Sequence, residues 1–244
     1  MRTEDFIKAV SRETEENERF EELRKGLPIG VGETGNILLA QKQEKTLTVR
    51  NTCVTGTGRT NYIRRLIMTL SCLYEKSEAC FFVLSPKIEY GELLRLHSAD
   101  VTAPYIRDKK DLTEGIETLK ELVLMRETGL GYPKLFLILD GLETLPECNK
   151  DEDLIEYRDI YKLLMRKAGI EIITGVDLTK SIFVGYPGAF LGVGNCLITV
   201  NEDGTADVTY VSEDSSLSLP VSMQCPCEPS VAESIAFLNA IPAE

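Results

Sequence analysis

Two short segments carry residue types that could handle a polyphosphate. Residues 55–60 read TGTGRT: Thr55, Gly56, Thr57, Gly58, Arg59 and Thr60. The glycines can form a tight turn whose backbone N–H groups face an anion at a helix N-terminus. Arg59 adds a permanent positive charge, and Thr60 a hydroxyl of the kind that ligates magnesium. The second segment, KLFLILDGLETL at 134–145, is an apolar run ending in Asp140, the residue type that orients Mg²⁺ from a strand end. As a pair they predict a site for ATP with Mg²⁺. Residues Thr55 to Thr60 would hold the nucleotide, and Thr60 and Asp140 the metal.

The spacing departs from the phosphate-loop pattern G-x-x-x-x-G-K-[ST] at two places. Its first glycine would be Cys53, which restricts a backbone needing positive φ, and its lysine would be Arg59. A planar guanidinium does not reproduce a compact ammonium between two phosphates. A water-activating carboxylate directly after the strand-end acid would be residue 141, which is glycine. Glu143 is close in sequence, but a displacement of ~1 Å can cost about 100-fold in rate. The plainer reading stands beside this one: a glycine-bearing turn that binds nothing, and a strand-end Asp that caps the next turn.

Several elements must position these residues. TLTVRNTCVTG reads as a buried strand leading into the loop, and Ile63, Leu66, Ile67, Leu70 and Leu73 predict a helix over 61–76. ACFFVLSP, KLFLILDG and IEIITGV read as strands apolar on both faces, alternating with helices at 111–126 and before Gly169. That alternation predicts a mainly parallel sheet covered on both sides. LPIGVGETGNILLA predicts a hairpin, as does NCLITVNEDGTADVTYVSED, the latter at or near the sheet edge. Residues 1–25 read as an amphipathic helix stopped by Gly26 and Pro28, and SVAESIAFLNA as a short helix with Ser230 and Glu233 in capping-box spacing.

The bulk properties set limits. With 244 residues and 43% hydrophobic content, the chain is large enough for a buried core. No apolar run approaches the ~18–20 residues that span a bilayer, and the N-terminus is charged throughout, so a cytoplasmic location is expected. A net charge of −12 disfavours a broad nucleic-acid surface. The seven cysteines are scattered. Cys225 and Cys227 lack a second pair or a nearby histidine, and a reduced thiol pair is expected in preference to a metal site.

Taken in order, the segments resemble the motor domain of the FtsK/SpoIIIE ATPases over roughly residues 27–214. LPIGVGETGNILL is similar to that family's entry strands, VTGTGRTNYIRRLI to its P-loop and VLSPKIEYGEL to its D-P-K-x-x-E-L segment. VTAPYIRDKKDLTEGIETLKELVLMR, LFLILDGLETL, RKAGIEIITGV and the closing hairpin follow in the family's order. Thr60, Lys87, Glu89 and Asp140 match its pattern. Arg59, Cys53, Gly141, Ser85 and Asp177 depart from it, the last standing where the family has a sensor glutamine. Between Val176 and Gly192 the chain is shorter than the motors, and the segment bearing their interface arginine has no counterpart.

The resemblance implies an α/β fold of the P-loop NTPase, RecA-like type. A mainly parallel sheet would lie between helices, with an N-terminal helical extension (1–26), the P-loop domain (27–214) with its hairpin, and a C-terminal tail with a short helix (215–244). Losing both the lysine and the glutamate should cost several kcal/mol of transition-state stabilisation. The expected function is therefore a degenerate, ATPase-like binding or regulatory module with weak or no hydrolysis. It resembles the second and third ATPase-like domains of type VII secretion (EssC/EccC-type) proteins. Its partners would be a protein or neighbouring ATPase domains of one assembly, with a membrane reached only through that assembly and DNA less favoured. The alternative is an active divergent ATPase that translocates DNA or protein.

Overall fold

The computed structural model describes residues 1–15, 23–24, 26–40, 50–127, 132–145, 170–177, 196–210, 217–226 and 230–240. The elements are α1 (Thr3–Glu15), β1 (Pro28–Gly32), β2 (Ile37–Leu39), β3 (Arg50–Gly56), α2 (Arg59–Leu70), β4 (Ala79–Leu84), β5 (Asp100–Thr102) and α3 (Lys109–Glu127). After them come β6 (Lys134–Asp140), β7 (Ile170–Gly175), β8 (Cys196–Val200), β9 (Thr205–Tyr210), β10 (Val221–Gln224) and α4 (Val231–Asn239). The helix expected before Gly169 and the glycine-rich segment 185–194 lie outside the described residues.

One mixed sheet runs in the order β2-β1-β10-β9-β8-β3-β7-β6-β4-β5. Strands β8, β3, β7, β6, β4 and β5 are parallel, and β9, β10, β1 and β2 extend the sheet by antiparallel pairing. The α/β, mainly parallel architecture is as the apolar runs predict. In β4, β6 and β7 successive residues face opposite sides, as a period of two requires. Phe81, Val83, Phe136, Ile138 and Ile173 join one core cluster. Phe82, Leu84, Leu135, Leu137 and Ile172 join the other. Helix α2 buries Ile63, Leu66, Ile67 and Leu70 in the first cluster, and α3 buries Leu112, Ile116, Leu119 and Val123 in the second.

Four features differ from the sequence expectations. The β8–β9 hairpin does not lie at the sheet edge, because β10, β1 and β2 continue the sheet beyond it. Residues 221–224, in the segment set apart as a tail, are the strand that joins the hairpin to β1. Helix α1 begins the segment set apart as an extension, yet Phe6 and Ile7 sit in the first core cluster beside Val231, Ile235 and Leu238 of α4. Helix α2 ends at Leu70, before the expected residue 76, and tight turns through Ser71–Leu73 follow it. The Ser230–Glu233 capping box is formed.

Candidate functional site

Strands β3, β4, β6 and β7 all end at one edge of the parallel sheet, where open α/β folds place ligands. Strand β3 pairs with β8 through Gly56, and α2 begins at Arg59, so only Thr57 and Gly58 form the connection. Cys53, at the first-glycine position, is an interior strand residue opposite Thr174 and Leu197. Burial pushes its thiol up to about 12. Thr57 N–H donates to the Val200 carbonyl at 3.1 Å. Gly56 has φ +90°, and a Cβ there would lie 2.2 Å from the Val200 carbonyl oxygen. Its lack of a side chain thus accommodates the backbone of β8. Gly58 caps α2 at φ +84°, in the left-handed region that favours glycine.

Asp140 closes β6 and is wholly buried. Its Oδ2 accepts hydrogen bonds from Thr60 Oγ1 at 2.7 Å and the Tyr90 hydroxyl at 3.0 Å. Its Oδ1 accepts from Arg59 Nε at 3.2 Å. The other end of the same guanidinium reaches Glu143, with Nη2 donating to Oε1 at 2.5 Å. Gly141, at φ +73°, turns the chain into a single helical turn at 142–144 and so aims Glu143 back at Arg59. The Asp177 backbone N–H also donates to Glu143 Oε1, at 3.1 Å.

Thr60, Asp140 and Arg59 therefore meet, while Gly56, Thr57 and Gly58 lie exposed beside them and Thr55 is ladder-paired to Thr199. Two further participants, Tyr90 and Ser85, were not singled out as site residues from the sequence. Tyr90 is buried on the short helix at 88–95, and burial followed by the Asp140 charge raises its hydroxyl well above the usual range. The only sequence signal was its place in the KIEYGEL segment. Ser85 Oγ donates to the Asp140 carbonyl at 2.7 Å and accepts from Lys87 N–H at 3.1 Å, tying β4 to β6. The Lys87 side chain passes over Gly141, with Cε 3.0 Å from where a Cβ would stand, and Glu89 is exposed. A cavity of about 190 Å³ lies between the start of α2 and the β8–β9 turn, lined by Asn61, Tyr62, Arg65, Asn201 and Cys225 among others.

A magnesium ion in a nucleotide site takes one or two protein oxygen ligands plus phosphate and water, at near-ideal octahedral geometry. Thr60 and Asp140 are suitable donors by type. As arranged, they do not fit the ion: both Asp140 oxygens are engaged, and the cation held between Asp140 and Glu143 is Arg59 itself. The phosphate cradle fits no better, because β3 and β8 are paired through the segment that would have to curl.

No protein-family model matches this chain. No curated protein matches it either. Solved structures do match its fold. The cytoplasmic domain of the Thermomonospora curvata type VII secretion ATPase EccC matches with a TM-score of 0.59 and 14% identity, over 86% of this chain and 30% of that one. ATPases 2 and 3 of the same EccC, in complex with a signal sequence peptide, match at 0.56 and 12% identity, over 84% of this chain and 41% of that one. ATPases 2 and 3 of EssC from Geobacillus thermodenitrificans match at 0.54 and 15% identity, over 82% and 41%. The chain spans well under half of each of these proteins. It has the α/β fold of the ATPase domains of type VII secretion proteins, and the similarity read from its ordered motifs holds in three dimensions.

Proposed function

We propose that this chain is a binding or regulatory module on a P-loop ATPase fold, working within a multidomain secretion-type assembly with weak or no ATP hydrolysis. The observation that carries this reading is the closed phosphate loop: β3 stays paired with β8 through Gly56, and the Thr57 N–H is bonded to Val200. Backbone N–H groups are what such a loop offers to phosphate. The missing glutamate agrees with it. At φ +73° position 141 strains any residue with a side chain, by about 1–2 kcal/mol, so a water-positioning carboxylate there needs a different backbone. The fitting partners are neighbouring ATPase domains of the same assembly or a protein docked on them, in the cytoplasm. The net charge of −12 argues against DNA.

The alternative, an active divergent ATPase, draws on the Thr60–Asp140 hydrogen bond, which keeps the two metal-ligand types side by side. Calorimetric titration with Mg²⁺–ATP and a phosphate-release assay separate the two readings, run on the wild type, Arg59→Lys and Asp140→Ala. The expected result is no turnover above background in any of the three. Wild-type turnover of about 1 s⁻¹ or faster, in the ordinary enzyme range, that disappears in Asp140→Ala would establish the active reading and end the proposal.

A further inference from the structure

Two acidic side chains and one basic one meet at the end of β6, and the acids are shielded almost completely from water. The Asp140 side chain is 0% exposed, that of Glu143 2% and that of Arg59 14%. Buried carboxylates stay charged only when paired and hydrogen-bonded. Asp140 has three side-chain donors, from Arg59, Thr60 and Tyr90. Glu143 has Arg59 and the Asp177 N–H. The only full positive charge among these donors is Arg59. Lys87, whose chain crosses Gly141, and Arg64, whose charge reaches Tyr90, stand nearby without a bond to either carboxylate.

A divalent metal between the same oxygens would need the space and the lone pairs that the guanidinium holds. We propose that Arg59 is a built-in counter-cation: it takes the metal's place beside Thr60, Asp140 and Glu143, so that the order of the pocket depends on neither a bound ion nor a nucleotide. This rests on the reading above and adds what it implies for regulation. Ordinary members of a nucleotide-driven assembly change state as ligand comes and goes, because ligand binds one state better than the other. Here the fixed cation removes that difference. The surface around the pocket stays in one arrangement whatever the nucleotide level, as suits a constant docking platform beside domains that cycle.

The test uses thermal unfolding of the whole chain without nucleotide, followed by far-UV circular dichroism, in MgCl₂ or MnCl₂ against NaCl of equal ionic strength. The wild-type midpoint should not respond to either divalent ion. Arg59→Gln, which removes the charge and keeps much of the length, should melt lower and recover saturably with the ion. At about ten times its Kd the ion would raise the midpoint by roughly 3–6 °C. Adding Asp140→Asn to Arg59→Gln should abolish the response. Should Arg59→Gln fail to fold, Mn²⁺ binding to the wild type and Arg59→Lys, read by electron paramagnetic resonance, decides the matter. Neither protein should bind Mn²⁺ in a way that Asp140→Asn removes. A wild type that binds or is stabilised by the ion through Asp140 overturns the proposal, as does an Arg59→Gln protein indifferent to it. Neither result touches the absence of ATP turnover, which the phosphate-release assay reads separately.

Discussion

Asp140→Asn separates a carboxylate held by an arginine from one waiting for a metal, because the two cases predict opposite signs. Asparagine keeps the shape but loses the charge and one acceptor. Its oxygen must face Arg59 Nε, now 3.2 Å from Oδ1, because that donor has no lone pair to offer. Its amide then faces the hydroxyls of Thr60 and Tyr90, which can turn to accept. What is lost is the charge on a hydrogen bond worth about 1.5–3 kcal/mol. Breaking a buried pair outright costs about 3–5 kcal/mol, but Glu143 still holds the other end of the guanidinium. The expected loss is therefore about 2–3 kcal/mol. At ~2–4 °C per kcal/mol for a chain of this size, the melting midpoint should fall by roughly 4–12 °C. The chain has no tryptophan, so far-UV circular dichroism with heat and urea is the assay of choice. If Asp140 and Glu143 were instead two unneutralised neighbours, removing one charge would relieve repulsion and stabilise the protein. A midpoint that rises or stays put refutes the clamp.

Two further outcomes follow from the same region. Gly56→Ala and Gly58→Ala both force a left-handed residue, at about 1–2 kcal/mol each, but the Gly58 side has open space to 4.0 Å while Gly56 meets the Val200 oxygen at 2.2 Å. Gly56→Ala should therefore cost more than ~4 kcal/mol in urea unfolding, and equal losses would remove β8 from its place against residue 56. Alkaline pH should unfold the protein, since burial pushes Cys53 and Cys196 up to about 12 and holds Tyr62 and Tyr90 well above their ordinary values. Raised pKa values mean the folded state keeps protons that the unfolded chain releases above about pH 8.5 for Cys and 10 for Tyr. The resulting stability is complete below about pH 8.5 and declines as pH climbs toward the folded values; urea midpoints under reducing conditions that stay level from pH 8 to 11.5 would contradict it.

The parts of the fold legible in the sequence were those whose own residues decide their state. KLFLILD and ACFFVL are apolar on consecutive positions because both faces are covered, and they became β6 and β4. DVT and VSMQ carry no such signal. Strand β5 exists because β4 offers it an edge, and β10 because β9 and β1 leave it a place, with Met223 its one buried residue. At the site, the meeting of Thr60 with Asp140 was legible from motif order. The direction of Arg59 was not, since it depends on Glu143, which reaches it only through the turn that the positive φ of Gly141 permits. Motif spacing sets Cys53 at a loop glycine, but the β-branched run TLTVRNTCVTG already reads as a strand there, and partner strands on both sides keep it extended.

The position of β10 between β1 and β9 bears on how the molecule is made. Of the described strands of this sheet, β1 leaves the ribosome first and β10 last. Among the described strands, β1 and β2 are ladder-paired to the rest of the sheet only through two residue pairs, Val31 with Gln224 and Gly32 with Met223. The parallel strands can assemble from their own neighbours while synthesis continues. The first hairpin must wait with an unpaired edge until residues 221–224 arrive, a pairing of high sequence separation and therefore slow. Truncation shortly before β10 would leave that edge open, and the product most expected from such a fragment is aggregation through β1.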